Sequence, residues 1–220
     1  MPASDVTALL ACPRCEVALR QYPDASFGCS GCGLKFPSLA GVPCLFAEPA
    51  AILAEWRQNF SLGKLVQDAA GVQAELQNPR LRPLTRERLT LQNQACGDQA
   101  RRLAELLSPL SLQGGQAGLA THLALQTRLP TDQGLTTYYP NIHRDWAWGD
   151  TENAESLKLV AAALGGGAPG NVVVLGAGAG RLAYDLHQQL PVETTVALDF
   201  NPLLALVAAR AVSGEGVELW

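Results

Sequence analysis

The sequence predicts an α/β protein in three parts: a small cysteine-rich ribbon, a helical connector, and the first half of a doubly wound sheet. Three observations predict this order. Two Cys-x-x-Cys pairs stand near the start, a stretch rich in Ala, Leu, Gln and Arg follows, and a β-branched run then enters a glycine turn and a helix. We place the boundaries at residues 1–47, 48–135 and 136–220.

Composition excludes several classes of protein. The 220 residues are 48% hydrophobic and 16% charged, which is enough apolar material for a core and too much for a disordered chain. The formal net charge of −4 predicts no general affinity for nucleic acid. The longest apolar runs fall short of the roughly 20 residues of a spanning helix, and the start of the chain lacks the basic and apolar regions of a signal peptide. We therefore expect a soluble, cytoplasmic protein without a membrane partner.

The cysteine spacing predicts a metal site. Cys12-Pro-Arg-Cys15 and Cys29-Ser-Gly-Cys32 are separated by 13 residues that have the pattern of a tight hairpin, with strands near 17–20 and 26–28. Each pair can form a knuckle with both thiolates on one side, and two knuckles complete a tetrahedron around zinc. A redox pair and a chance recurrence are the alternatives. Cys44 and Cys96 lie outside this pattern, and we expect them to be free thiols.

Two segments carry a first resemblance. LLACPRCEVAL and FGCSGCGLKFPSLAGVPCLF resemble the small zinc-ribbon protein that activates several tRNA and protein methyltransferases, over about residues 8–46. In that family the ribbon binds and stabilises a methyltransferase. The resemblance implies either the same arrangement fused in one chain or a non-catalytic ribbon that stabilises another methyltransferase as a protein partner.

The connector predicts helices near 49–60, 64–77, 84–108 and 116–128, because its apolar residues recur at helical spacing between proline and glycine breaks. Six arginines between 80 and 102 make it the most basic stretch, which is either a solvated helix face or an RNA-binding surface. The run 138–149 then concentrates Tyr, Trp, His and an Arg-Asp pair before a helix that begins near Thr151. It is interpreted as a ligand lid or as a plug for one end of the core.

The most informative chemistry lies in residues 171–199. The apolar run 171–175 is typical of a buried parallel strand, and the glycine turn after it precedes a helix that starts at Arg181. This order lets backbone N–H groups approach a ligand closely. A second strand over 194–198 ends in Asp199, whose carboxylate is placed to accept hydrogen bonds from both ribose hydroxyls of an adenosine ligand. A helix over 202–211 and a third strand over 217–220 complete the prediction.

The spacing of the glycines bears on which adenosine ligand is bound. The dinucleotide fingerprint requires glycine at position 181, where Arg181 stands. Glycines at 176, 178 and 180 have instead the spacing of class I S-adenosylmethionine-dependent methyltransferases. NAD or FAD binding and a turn that binds nothing are the alternatives. We expect methyl transfer to an unidentified acceptor, which is a small amine, a peptide or tRNA, and the catalytic residues stay unassigned.

A second resemblance extends over about residues 138–212. VVVLGAGAGRLAYDL, preceded by HRDWAWGDTENAES, resembles the carnosine N-methyltransferase-like family. The resemblance implies a Rossmann-like sheet and a segment that covers the cofactor from Arg144 to Trp146. The cofactor-binding residues that it implies are Gly176, Ala177, Gly178, Gly180, Arg181, Asp199, Arg144 and Trp146. Val174 stands where most class I methyltransferases have an acidic residue.

A methyltransferase sheet of this class has about seven strands, whereas the sequence offers three. We therefore expect the chain to be the N-terminal portion of a longer methyltransferase. A complete regulatory protein with half a sheet is the alternative.

Overall fold

The computed structural model describes residues 6–111 and 136–219. Its strands are β1 (Leu19–Gln21), β2 (Phe27–Cys29), β3 (Lys35–Phe36), β4 (Ser38–Leu39), β5 (Val42–Pro43), β6 (Gly170–Leu175) and β7 (Val192–Leu198). Its α-helices are α1 (Pro49–Asn59), α2 (Gly63–Leu76), α3 (Pro83–Leu106), α4 (Ser108–Ser111), α5 (Tyr139–His143), α6 (Asp150–Leu164), α7 (Arg181–Gln189) and α8 (Pro202–Val212). A 3-10 helix spans Val6–Leu9 and a π-helical turn spans Arg144–Trp148. This mixture of helices and strands is compatible with the α/β class.

The N-terminal strands form a three-stranded antiparallel sheet in the order β1-β2-β3. Leu19 pairs with Cys29 and Phe27 pairs with Phe36, so that alternate side chains lie on one face. That face encloses a small core of Cys12, Leu19, Phe27, Cys29 and Phe36. The hairpin prediction is confirmed, although β1 begins two residues later than expected.

A second antiparallel pair, β4 and β5, follows directly. Its Leu39, together with Cys44, belongs to the main core rather than to the small one. There they join Trp56 of α1, Leu103 of α3 and Leu203 of α8. The apolar residues of segment 1–47 are therefore divided between two cores, and the second half of the ribbon is anchored on the rest of the protein.

Three of the four predicted connector helices are present as α1, α2 and α3, each shifted by one or two residues at an end. The fourth, near 116–128, lies outside the described residues. Pro83 begins α3, where the missing proline N–H is not needed. The Arg86 guanidinium donates to the carbonyl oxygens of Leu76 (2.7 Å) and Asn78 (2.9 Å), which closes α2 and α3 into an antiparallel hairpin. Most of the connector arginines on this hairpin are exposed.

The C-terminal part is built on one parallel βαβ unit. β6 pairs with β7 in parallel, Asn171 opposite Thr194 and Leu175 opposite Leu198, and α7 crosses between the two strands. The predicted third strand is not formed by residues 217–219. Leu219 is instead buried in the main core against the helices, so its apolar side chain is shielded from water without a neighbouring strand. The larger doubly wound sheet stays a prediction.

No helix within 6–111 or 136–219 is long and apolar enough to cross a membrane.

Candidate functional site

The four predicted metal ligands come together in the ribbon. The Sγ atoms of Cys12, Cys15, Cys29 and Cys32 all lie within 4.8 Å of one another; those of Cys12 and Cys32 are 3.6 Å apart, and those of Cys15 and Cys29 are 3.3 Å apart. A disulfide requires about 2 Å, whereas a tetrahedral zinc site with bonds of about 2.3 Å has sulfur–sulfur edges of about 3.8 Å. The cluster therefore fits a metal ion such as zinc. Cys44 and Cys96 are free and lie elsewhere.

The two knuckles share one backbone geometry. Glu16 N–H donates to Cys12 O at 2.8 Å, and Gly33 N–H donates to Cys29 O at 3.0 Å. In both knuckles the donor is four residues after the first cysteine of its pair. Both donors are left-handed, with φ of 63° at Glu16 and 73° at Gly33. Gly31 is required for space instead, since a Cβ there would lie 2.9 Å from Val17 Cγ2 and 3.2 Å from Cys15 Sγ.

The thiols of the cluster differ in acidity. The backbone N–H of Cys32, 3.5 Å from the Cys29 sulfur, lowers the pKa of that thiol to about 6 against the opposing effect of burial. At Cys15 the backbone of Val17 acts to lower the pKa, but the hydrogen bond with the Cys29 sulfur and burial outweigh it and raise the pKa to about 12. The hydrogen bonds around Cys29 therefore favour its thiolate, the form that binds metal.

The glycine turn joins β6 to α7 at the carboxyl ends of the parallel strands. Gly176, Gly178 and Gly180 have φ of 64°, 59° and 84°, a region that other residues rarely adopt. Ala177 N–H donates to Leu198 O at 2.9 Å, which ties the turn to β7. The space around the glycines differs. A Cβ at Gly176 would meet nothing within 4 Å, whereas one at Gly180 would lie 2.9 Å from Ala208 Cβ, so the third glycine serves packing against α8.

Asp199 lies against this turn. One carboxylate oxygen accepts from Gly178 N–H and the other from Asn201 N–H, both at 2.8 Å. The Asn201 side chain in turn caps α8 by accepting from Leu203 N–H at 2.9 Å. The structure therefore brings together the turn and the acidic residue that the sequence placed at the end of the second strand.

Arg181 bridges two segments beside the turn. Its guanidinium donates to Asp185 (2.9 Å) on α7, to the backbone oxygen of Asp145 (2.8 Å), and pairs with Asp150 (3.0 Å) at the start of α6. Burial acts to lower its pKa, but the bonds to Asp185 and Asp150 outweigh burial and raise it. With its donors committed to protein oxygens, Arg181 acts on the turn as a positioning residue.

The aromatic segment folds against the turn as well. Gly149 N–H donates to Arg144 O at 2.7 Å and closes the π-helical turn, where a Cβ at Gly149 would collide with the same oxygen. The Trp146 indole donates to Ala179 O at 2.8 Å, and its ring lies 5.5 Å from the Arg181 guanidinium carbon. Tyr139 and Ile142 are buried in the main core. The first half of the segment, with Tyr139 and Ile142, therefore packs into the main core, and the second half, with Trp146, lies against the glycine turn.

Asp145 lies in the segment that the second resemblance places over the cofactor, but it was not predicted as a cofactor-binding residue. Its side chain is only 15% exposed, and its Oδ2 is 3.8 Å from where a Cβ of Gly178 would lie. Oδ1 accepts from Arg144 Nε and Nη2 at 3.2 and 3.1 Å. The adjacent Arg144 and Asp145 in the sequence could have indicated a functional carboxylate here. The π-helical turn is what brings this carboxylate close to the glycines.

Two cavities meet at Asp199. One, of about 610 Å³, lies between the end of β7 and the ribbon, with Phe46, Gly176 and Phe200 in its wall. The other, of about 420 Å³, lies between α7 and α8 and includes Gly178. The Phe46 and Phe200 rings pack edge to face with centroids 5.4 Å apart. Residues of the ribbon segment thus contribute to the surroundings of the glycine turn.

Comparisons of this chain with protein-family models, with curated proteins and with solved structures found no match.

Proposed function

We propose that this chain binds S-adenosylmethionine at the glycine turn and transfers its methyl group to an acceptor. The observation that carries the proposal is the bond between Asp199 and Gly178 N–H. It puts a carboxylate at the end of β7 beside an open glycine turn at the end of β6, the edge of a parallel sheet at which ligands bind. The acceptor is unidentified, and a small amine, a peptide and tRNA are the candidates.

The residues present fit the cofactor. Each Asp199 oxygen already accepts one backbone bond and has capacity for a second, which suits the two ribose hydroxyls. Gly176 leaves open space for the close approach of a ligand to the backbone, and at Gly178 the one atom that would lie within 4 Å of a Cβ is Asp145 Oδ2. Phe200, in the wall of the larger cavity, offers an apolar face for adenine.

The cofactor supplies an electrophilic methyl group on a sulfonium. Held by Asp199 and the glycine turn, it would give up this methyl group to the acceptor while the electron pair of the sulfur–methyl bond returns to sulfur, and a neutral amine acceptor would release one proton. The protein contributes by aligning the acceptor with the methyl carbon, which requires no nucleophilic side chain of its own.

For the cysteine cluster we propose zinc in a structural role. All four ligands are supplied by the protein, and a site closed in this way leaves no position for a substrate. Zinc would hold the small core of the ribbon together and, through β4 and β5, support the wall of the larger cavity.

One observation favours the second candidate, a non-catalytic partner that stabilises another methyltransferase. Leu175 and Val173 of β6 are 78% and 57% exposed, and Leu198 of β7 is also exposed. An apolar strand surface of this kind is suited to cover by another polypeptide.

The deciding experiment is calorimetry with S-adenosylmethionine, S-adenosylhomocysteine and NAD on the full chain. We expect both adenosyl ligands to bind and NAD not to bind. Asp199→Asn should weaken binding about ten- to a hundredfold, because it removes the charge from the bonds to the ribose. Glu193→Gln, an exposed change on the same strand, is the matched control and should leave affinity unchanged. Binding of NAD without binding of S-adenosylmethionine or S-adenosylhomocysteine would refute the proposal. Binding of none of the three ligands would favour the second candidate, a non-catalytic partner of another methyltransferase.

A further inference from the structure

The Asp145 carboxylate beside the glycine turn has a chemistry that the turn itself lacks. Backbone N–H groups suit a ligand that accepts hydrogen bonds, whereas an ammonium group needs an acceptor, best a carboxylate. Val174 stands two positions before the first glycine, so β6 supplies no acid there. Any carboxylate for a cation at this turn must come from another segment.

The neighbouring carboxylates have other roles. The remaining capacity of Asp199 is assigned to the ribose hydroxyls in the proposed function, and Asp150 and Asp185 each pair with Arg181 through one oxygen. Asp145 differs in its position, because Arg144 occupies its Oδ1 while its other oxygen lies 3.8 Å from where a Cβ of Gly178 would stand. Its Oδ2 faces Gly178, and no bond to Oδ2 is found among residues 6–111 and 136–219.

The position of Asp145 is fixed by its own backbone. Its carbonyl oxygen accepts from Arg181 at 2.8 Å and from Asn153 Nδ2 at 3.1 Å. On the next residue the Trp146 indole is bound to Ala179 O of the turn. A carboxylate held through its main chain on two sides is preorganised before a ligand arrives.

We propose that Asp145 binds the α-ammonium group of the amino acid end of S-adenosylmethionine, in the place of the acid that β6 lacks. This inference rests on the proposed function, since it assumes that the adenosyl part occupies the turn. Arg144 holds Oδ1 and leaves Oδ2 for the ammonium. Asp145 is thus a binding residue that selects ligands with an amino acid end.

The test compares two ligands by calorimetry on the full chain. S-Adenosylhomocysteine carries the amino acid end, and 5′-methylthioadenosine has the same nucleoside and sulfur without it. Asp145→Asn keeps the shape of the side chain and removes its charge. We expect it to weaken S-adenosylhomocysteine at least about tenfold and to leave 5′-methylthioadenosine unchanged. Asp145→Glu should restore part of the lost affinity. Glu155→Gln, an exposed change on α6, is the control.

Three outcomes would overturn the inference. Unchanged binding of both ligands to Asp145→Asn would mean that the carboxylate touches neither. An equal loss for both, with no rescue by Asp145→Glu, would mean that Asp145 only shapes the turn. In either case the proposed function stands, because the unaltered chain still binds. If the unaltered chain binds neither ligand, the proposed function fails and this inference fails with it.

Discussion

The cysteine cluster and the glycine-turn site are assembled in opposite ways. The cluster takes all four ligands from one short stretch, residues 12–32, folded as a hairpin and two knuckles. The glycine-turn site joins residues 33 and 36 positions apart, through Trp146 with Ala179 and Asp145 with Arg181. A local site is specified by spacing alone, whereas a distributed site depends on the packing of the whole C-terminal part.

Loss of one metal ligand should have the largest effect. Cys29→Ser should abolish metal binding and unfold the small core of the ribbon, since binding of a structural zinc supplies roughly 10–16 kcal/mol in such modules and only five residues form that core. Elemental analysis should give one zinc per unaltered chain and none for the variant. Cys96→Ser, which lies in α3 outside the cluster, is the control. Metal-free protein from a preparation without chelator would refute zinc at this site.

The glycine-turn site should instead respond to loss of Arg181, which joins the segments on either side of the turn. Arg181→Met should lower the free energy of unfolding of the C-terminal part by about 3–5 kcal/mol, because it leaves the buried Asp185 carboxylate without its partner. Arg101→Met removes an exposed pair with Asp98 and should cost under about 1 kcal/mol. Urea denaturation followed by circular dichroism measures both. Equal losses for the two variants would contradict the bridging role.

The smallest effect concerns the two knuckles, which have the same geometry but different residues. Glu16→Gly should raise stability by up to about 1 kcal/mol, and Gly33→Ala should lower it by about 1–2 kcal/mol, since both positions are left-handed. Thermal melting of the metal-loaded protein gives the sign of each change. Shifts in the same direction would mean that side-chain contacts, rather than backbone conformation, dominate at these positions.

The difference between the two sites also explains what the sequence could predict. The repeated two-residue gaps were enough to predict that Cys12, Cys15, Cys29 and Cys32 come together. The order of strand, glycine turn, helix and second strand was enough to predict that Asp199 lies at the turn. The π-helical turn, and with it the approach of the Asp145 carboxylate to Gly178, was not predictable, because it depends on Gly149 passing close to the Arg144 carbonyl. The strand predicted over 217–220 was wrong for 217–219. Apolar residues that alternate with a polar one, as Val217 and Leu219 do around Glu218, have the same pattern whether the segment pairs in a sheet or packs on helices.

The contact between the Trp146 indole and Ala179 has an optical consequence. The tryptophans of the described ranges lie in three environments: Trp56 is fully buried, Trp148 is 65% exposed, and Trp146 is bound to the glycine turn below the Arg181 guanidinium. Tyr184 lies 5.7 Å from Trp146, close enough for excitation transfer between the two rings. Because the indole N–H is bonded to the turn itself, its emission is sensitive to the polarity and hydration of that turn. The protein thus carries an intrinsic fluorophore within its candidate binding site.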